Sequence, residues 1–138
     1  MTSSSPGVNG RHQNERPLVL IVDDNERNLK LTRDVLQATG FRTLEAATGA
    51  EGIALAAERL PDVILMDLRL PDMHGTEAAR QLGEADRTAR IPVVAVSSAP
   101  FTSGDWFLAA GFAGYLDKPI NVREFPDLVR AYCAGGGA

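Results

Sequence analysis

LVLIVDDN, residues 18–25, runs through five consecutive aliphatic residues and then ends in two aspartates and an asparagine. An apolar run without polar alternation reads as a strand covered on both faces, which requires helices above and below a parallel sheet. The pattern returns at 41–46 (FRTLEA), 63–66 (VILM), 93–96 (VVAV) and, briefly, at 114–116. Helix-period segments separate these runs. The first spans about Glu26–Thr39, with Leu29, Val35 and Leu36 facing inward and Gly40 as its cap. In the second, Ile53, Ala56, Ala57 and Leu60 form an apolar stripe that Pro61 terminates. A short helix is expected at about Thr76–Gly83 and a weaker one at about Asp105–Ala110. The last carries Val122, Phe125, Leu128, Val129 and Tyr132 on one face, with Pro126 in its first turns.

Five such strands alternating with helices predict an α/β domain: a doubly wound, five-stranded parallel sheet with helices on both faces. Right-handed crossovers make the flavodoxin-like order 2-1-3-4-5 one of two common solutions. The chain of 138 residues has room for one such core, expected over 17–133. The polar segment 1–16 cannot bury enough to order itself, and 134–138 reads as a flexible terminus. Eighteen acidic against fourteen basic residues give a net charge of -4, the wrong sign for direct nucleic-acid binding. Cys133 is the only cysteine, so neither an internal disulfide nor a cysteine-rich zinc site can form. The longest apolar run, Leu18–Val22, is too short to insert into a membrane. A cytoplasmic protein is expected.

In open α/β sheets, chemistry gathers beyond the carboxyl ends of the strands. Here those ends carry Asp23-Asp24, Asp67, Ser97-Ser98 and Asp117-Lys118-Pro119. Each has a plainer explanation. Asp-Asp-Asn caps a helix well, Asp67 suits a turn, serines are common in loops, and a lysine at a strand end is ordinarily solvated. Their joint arrival at the ends of adjacent strands is what those explanations leave unaccounted for. Three clustered carboxylates repel one another unless a cation neutralises them, and an all-oxygen pocket suits Mg²⁺ with a phosphate oxygen among its ligands. A carboxylate so placed can also act as the nucleophile that forms an aspartyl phosphate.

The motifs VDDN (22–25), LMDLRLPDMHG (65–75), PVVAVSS (92–98) and YLDKPI (115–120) resemble those of the receiver domains of two-component response regulators, over almost all of 18–132. That resemblance implies Asp67 as phosphoacceptor, with Asp23 and Asp24 holding Mg²⁺ (Asp24 directly) and the backbone carbonyl of Arg69 completing the coordination. It also implies that Ser97 bonds the phosphoryl group, that Lys118 pairs with it, that Lys118-Pro119 is cis, and that Tyr115 is the switch aromatic. Two departures stand out. The stretch 97–115 is about one residue shorter than the family spacing, and Ser98 replaces a common alanine. His74 reads as a surface residue.

The function expected from the resemblance is transfer of a phosphoryl group from a histidine kinase or histidine phosphotransfer protein to Asp67. Ser97 is then drawn inward, and Tyr115 turns to alter the face of helix 4, strand 5 and helix 5. Of the neighbouring Trp106 and Phe107, one ring is expected buried and one partly exposed. The chain ends just after the last helix, so output is expected to pass through an unidentified partner protein. It is not expected to be an enzyme on external substrates. Two other readings compete: an unphosphorylated docking scaffold, opposed by the full set Asp24, Asp67, Ser97 and Lys118, and an aspartate-nucleophile phosphatase. The phosphatase reading is opposed by Arg69, which stands where such enzymes resemble one another in placing a second Asp. A flavodoxin-type cofactor site lacks a phosphate loop after the first strand.

Overall fold

A computed structural model describes residues 16–98 and 106–135 of the chain. The expected disorder of 1–16 falls almost wholly outside them, and the expectation for the Trp106 ring lies outside them as well. Five strands, β1 (Leu18–Val22), β2 (Arg42–Ala46), β3 (Val63–Asp67), β4 (Val93–Ser97) and β5 (Gly114–Asp117), form one parallel sheet in the order β2-β1-β3-β4-β5. The helices are α1 (Glu26–Ala38), α2 (Gly49–Arg59), α3 (Gly75–Glu84), α4 (Trp106–Ala109) and α5 (Phe125–Gly135). The last runs two residues into the terminus expected to be flexible.

Alternate residues of the central strands feed two cores, one on each face of the sheet. Val19, Ile21, Val63, Leu65, Val94 and Val96 pack with Leu36 of α1 and with Phe125 and Val129 of α5. Leu20, Val22, Ile64, Met66 and Ala95 pack instead with Ala56 of α2 and with Ala78, Ala79 and Leu82 of α3. All five residues of β1, of β3 and of β4 are buried, as the uninterrupted apolar runs predict. The outer strand β2 is only partly covered, the expected state of an edge.

The helix ends follow local chemistry. Thr39 is the C-cap of α1, and the expected cap, Gly40, lies one residue beyond it at φ +103°. Pro61 has no N–H for the carbonyl of Ala57, and Arg87 donates to that carbonyl from the loop after α3. Three apolar assignments fail. Leu60 is the left-handed C-cap of α2 and is 45% exposed; Val122 precedes α5 and is 52% exposed; Leu128 is 41% exposed. Periodicity carried the stripe past a helix end at Leu60 and Val122, and at Leu128, inside α5, the buried face is narrower than the pattern.

Candidate functional site

The residues at the strand ends do come together. Asn25, not either aspartate, is the N-cap of α1: its side chain accepts from the Asn28 N–H at 3.0 Å. The capping explanation for the acidic pair is thereby removed. Asp23, 5% exposed, uses one oxygen to accept from the Asn25 N–H at 2.9 Å and the other to accept from Lys118 Nζ at 3.0 Å. Asp67, 9% exposed, lies 3.4 Å from the same ammonium. Asp24 is exposed at the rim, and carboxylate oxygens of Asp23, Asp24 and Asp67 all lie within 4.8 Å of one another.

Parallel register explains the convergence. Asp67 stands beside Val96, and Ser97 beside Asp117, while the Lys118 N–H donates to the Ser97 carbonyl at 2.9 Å. Lys118-Pro119 is cis, as the resemblance implies. Ser97 is buried at 5% exposure and lines, with Asp24, Asn28, Asp67, Arg69 and Lys118, one open cleft. The Tyr115 hydroxyl donates to the Asp117 carboxylate and lies 3.4 Å from the Ser97 carbonyl, and its ring stands 6.4 Å from Phe107. Phe107 is partly exposed.

The electrostatics match the composition of the cluster. Burial pushes the Asp67 carboxyl above the ordinary aspartate range, opposed by the charge of Lys118 and reinforced by that of Asp23. Three carboxylates against one ammonium leave two negative charges when all are ionised, presented on oxygen alone. That donor set fits a small hard divalent cation and fits no thiolate- or imidazole-seeking metal. Tyr115 is pushed up to about 12, first by burial and then by its bond to, and the charge of, Asp117.

The neighbouring loop is held tightly. The Gly75 N–H donates to the Leu68 carbonyl at 2.7 Å, and Arg69 and His74 form an antiparallel bridge across the loop base. A Cβ on Gly75 would sit 2.6 Å from the Asp67 carbonyl oxygen, so this position admits no side chain without displacing the Asp67 peptide. Exposed His74 is the N-cap of α3, accepting from the Thr76 N–H.

Residues 19–130 match the response regulator receiver domain family. The chain belongs to that family. Among similar proteins, the polar-differentiation response regulator DivK of Brucella anthropi is 38% identical over 115 residues, covering 83% of this chain and 94% of that protein. Two crystal structures share the receiver fold. The CheY-like receiver domain protein of Methanospirillum hungatei has TM-score 0.80 and 27% identity, covering 88% of this chain and 97% of that one. The receiver domain of the Pseudomonas aeruginosa sensor histidine kinase PA1611 has TM-score 0.79 and 29% identity, covering 86% and 98%, and holds a magnesium ion in its active-site cleft. This chain is therefore a receiver domain of two-component signalling. Among the described residues of the receiver, no helix is long and apolar enough to cross a membrane.

The sequence reading placed Asp117 at a strand end without giving it a role, and it gave none to Asp72. Asp117 had a signal, since residues two apart on a strand share a face and Tyr115 is its neighbour there. Asp72, whose contacts are described below, had none.

Proposed function

We propose that this receiver takes a phosphoryl group onto Asp67 from the phosphohistidine of a histidine kinase or phosphotransfer protein. The observation that supports this most directly is the meeting of Asp23, Asp24 and Asp67 within 4.8 Å, with Lys118 Nζ 3.0 Å from Asp23 and 3.4 Å from Asp67. An Asp67 carboxylate oxygen attacks phosphorus in line; the O–P bond forms as the P–N bond to the donor imidazole breaks. The imidazole leaves with the electron pair of that bond and takes up a proton. Lys118 sits where charge on the phosphoryl oxygens needs a counter-ion, and the buried Ser97 hydroxyl lies at the same cleft as a donor.

Asp23, Asp24 and Asp67, with the Arg69 carbonyl, would hold Mg²⁺, which supplies charge neutralisation for the transferred group. Burial holds the Asp67 carboxyl above the ordinary aspartate range, and a bound cation would pull it back down. The new phosphoryl group adds about -1.5 to -2 charge and three acceptor oxygens next to Ser97. Its pull on Ser97 bears on the Ser97 carbonyl, which the Tyr115 hydroxyl approaches at 3.4 Å, so the face of β5 responds through a path of two residues. Downstream, the altered face is read by a partner protein; no external substrate is turned over, and the protein works in the cytoplasm.

Acetyl phosphate labelling read by intact mass tests the proposal. Wild type should gain one phosphoryl group with Mg²⁺ and none with excess chelator, while Asp67→Asn should gain none under either condition. An adduct of unchanged yield on Asp67→Asn would assign the acceptor elsewhere.

A further inference from the structure

The amides of a helix's first turn lack carbonyl partners within it, and at α2 the three from Gly49 to Glu51 are all satisfied. The Glu51 N–H donates to the Thr48 hydroxyl at 3.0 Å and the Gly52 N–H to the Thr48 carbonyl at 3.0 Å. The other two donate to a carboxylate that is not local. Gly49 N–H reaches Asp72 Oδ1 at 2.8 Å, and Ala50 N–H reaches Asp72 Oδ2 at 3.0 Å, across 23 and 22 residues of chain. Asp72 sits at the tip of the loop that leaves Asp67 and carries Arg69.

This loop is thus held at both ends. Its base is closed by the Arg69–His74 bridge and the Gly75-to-Leu68 bond, and its tip is bound to α2 by both oxygens of one carboxylate. Charged acceptors on backbone amides bond more strongly than neutral ones, and the positive end of the helix dipole adds to the attraction. The amides of Ala50 and Gly49 hold the Asp72 carboxyl below the ordinary aspartate range. Met73 adds packing: a Cβ on Gly49 would lie 2.6 Å from its Cγ.

We infer that Asp72 is a positioning residue for the cation site, bridging the amino terminus of α2 to the loop that presents the Arg69 peptide beside Asp67. This inference rests on the reading of the cleft as a Mg²⁺ site. Because coupling between two sites is reciprocal, the cation in turn tightens the bond between the loop and α2. Groups that orient ligands from behind typically change metal affinity by 10- to 100-fold when removed.

Titration with MgCl₂ followed by ¹⁵N–¹H correlation spectra, on wild type, Asp72→Ala, Asp72→Asn and Thr48→Ala, reads fold and affinity together. Asp72→Ala should raise the Mg²⁺ midpoint roughly ten-fold. Asp72→Asn, which keeps one amide oxygen as acceptor, should fall between it and wild type. Thr48→Ala frays the same helix end without touching the loop and should keep the wild-type midpoint. Mg²⁺ should also slow hydrogen exchange at the Gly49 and Ala50 amides in wild type and not in Asp72→Ala. A wild-type midpoint in both Asp72 variants, or an equal loss in Thr48→Ala, would overturn the positioning role. A wild type with no saturable shift would instead overturn the cation reading beneath it.

Discussion

The two walls of the cleft are built differently. On the β3 side, close backbone contacts and one carboxylate hold the loop: Gly75 lies against the Asp67 peptide, Arg69 bridges His74, and Asp72 binds the loop tip to α2. On the β5 side, position depends on side-chain pairs: Tyr115 on Asp117, Lys118 between two carboxylates, and Tyr132 across Gly114. Under the proposed function, this division suits a site that holds an ion and also signals. The wall proposed to place the cation should be stiff, and the wall proposed to report phosphorylation should have more than one arrangement of similar energy.

Glycine substitutions break the comparison most directly. A Cβ on Gly75 meets backbone, 2.6 Å from the Asp67 carbonyl and 2.9 Å from Leu68 Cα, which neither residue can evade without moving the acceptor. Although alanine gains about 1 kcal/mol over glycine inside a helix, Gly75→Ala should lose about 3 kcal/mol in urea unfolding, because overpacking dominates. A Cβ on Gly114 would lie still closer to the Tyr132 hydroxyl, but that is the end of a side chain that can rotate away. Gly114→Ala should therefore cost about 1 kcal/mol. Equal losses at the two positions would remove the distinction between the walls.

A smaller effect comes from pH. Asp67 has a raised carboxyl in the folded state, so the folded protein keeps a proton that the unfolded chain has already released. Its contribution to stability is greatest below the unfolded value near 4 and is lost as pH rises through the folded value. Asp67→Asn should flatten that component of the decline, checked by urea midpoints from about pH 4 to 7. A steeper decline in Asp67→Asn would contradict the burial argument.

The smallest change is confined to the β5 wall. With Tyr115 pushed up to about 12, Asp117→Asn should lower the pH at which it ionises part of the way towards that of a free phenol, read by the phenolate absorbance, without altering Mg²⁺ affinity. A Tyr115 titration unmoved by Asp117→Asn would remove Asp117 from the switch.

Sequence order made some of this legible and concealed the rest. The central strands were plain because both of their faces are buried, and uninterrupted apolar residues say so. The cluster was plain because each member ends a strand, and parallel register carries strand ends to one rim. The α5 face was misread because Val122 precedes the helix and Leu128 lies off its buried stripe, which a count of periodic residues does not distinguish. Asp72 had no sequence mark because its partners are amides, which every residue carries. The Asp-Asp-Asn stretch, open to two explanations as sequence, divides cleanly: Asn25 caps the helix, and both aspartates belong to the cleft.

The identity of the phosphorylated atom is the point on which the account turns. Borohydride reduces an acyl phosphate to the alcohol, so treatment of Mg²⁺-dependent, acetyl phosphate-labelled protein followed by peptide mass mapping locates the modified carboxyl. The expected result is reduction confined to Asp67, absent when Mg²⁺ is chelated. Reduction at Asp23 or Asp24, or a label that resists borohydride and maps to Ser97 or His74, would contradict it.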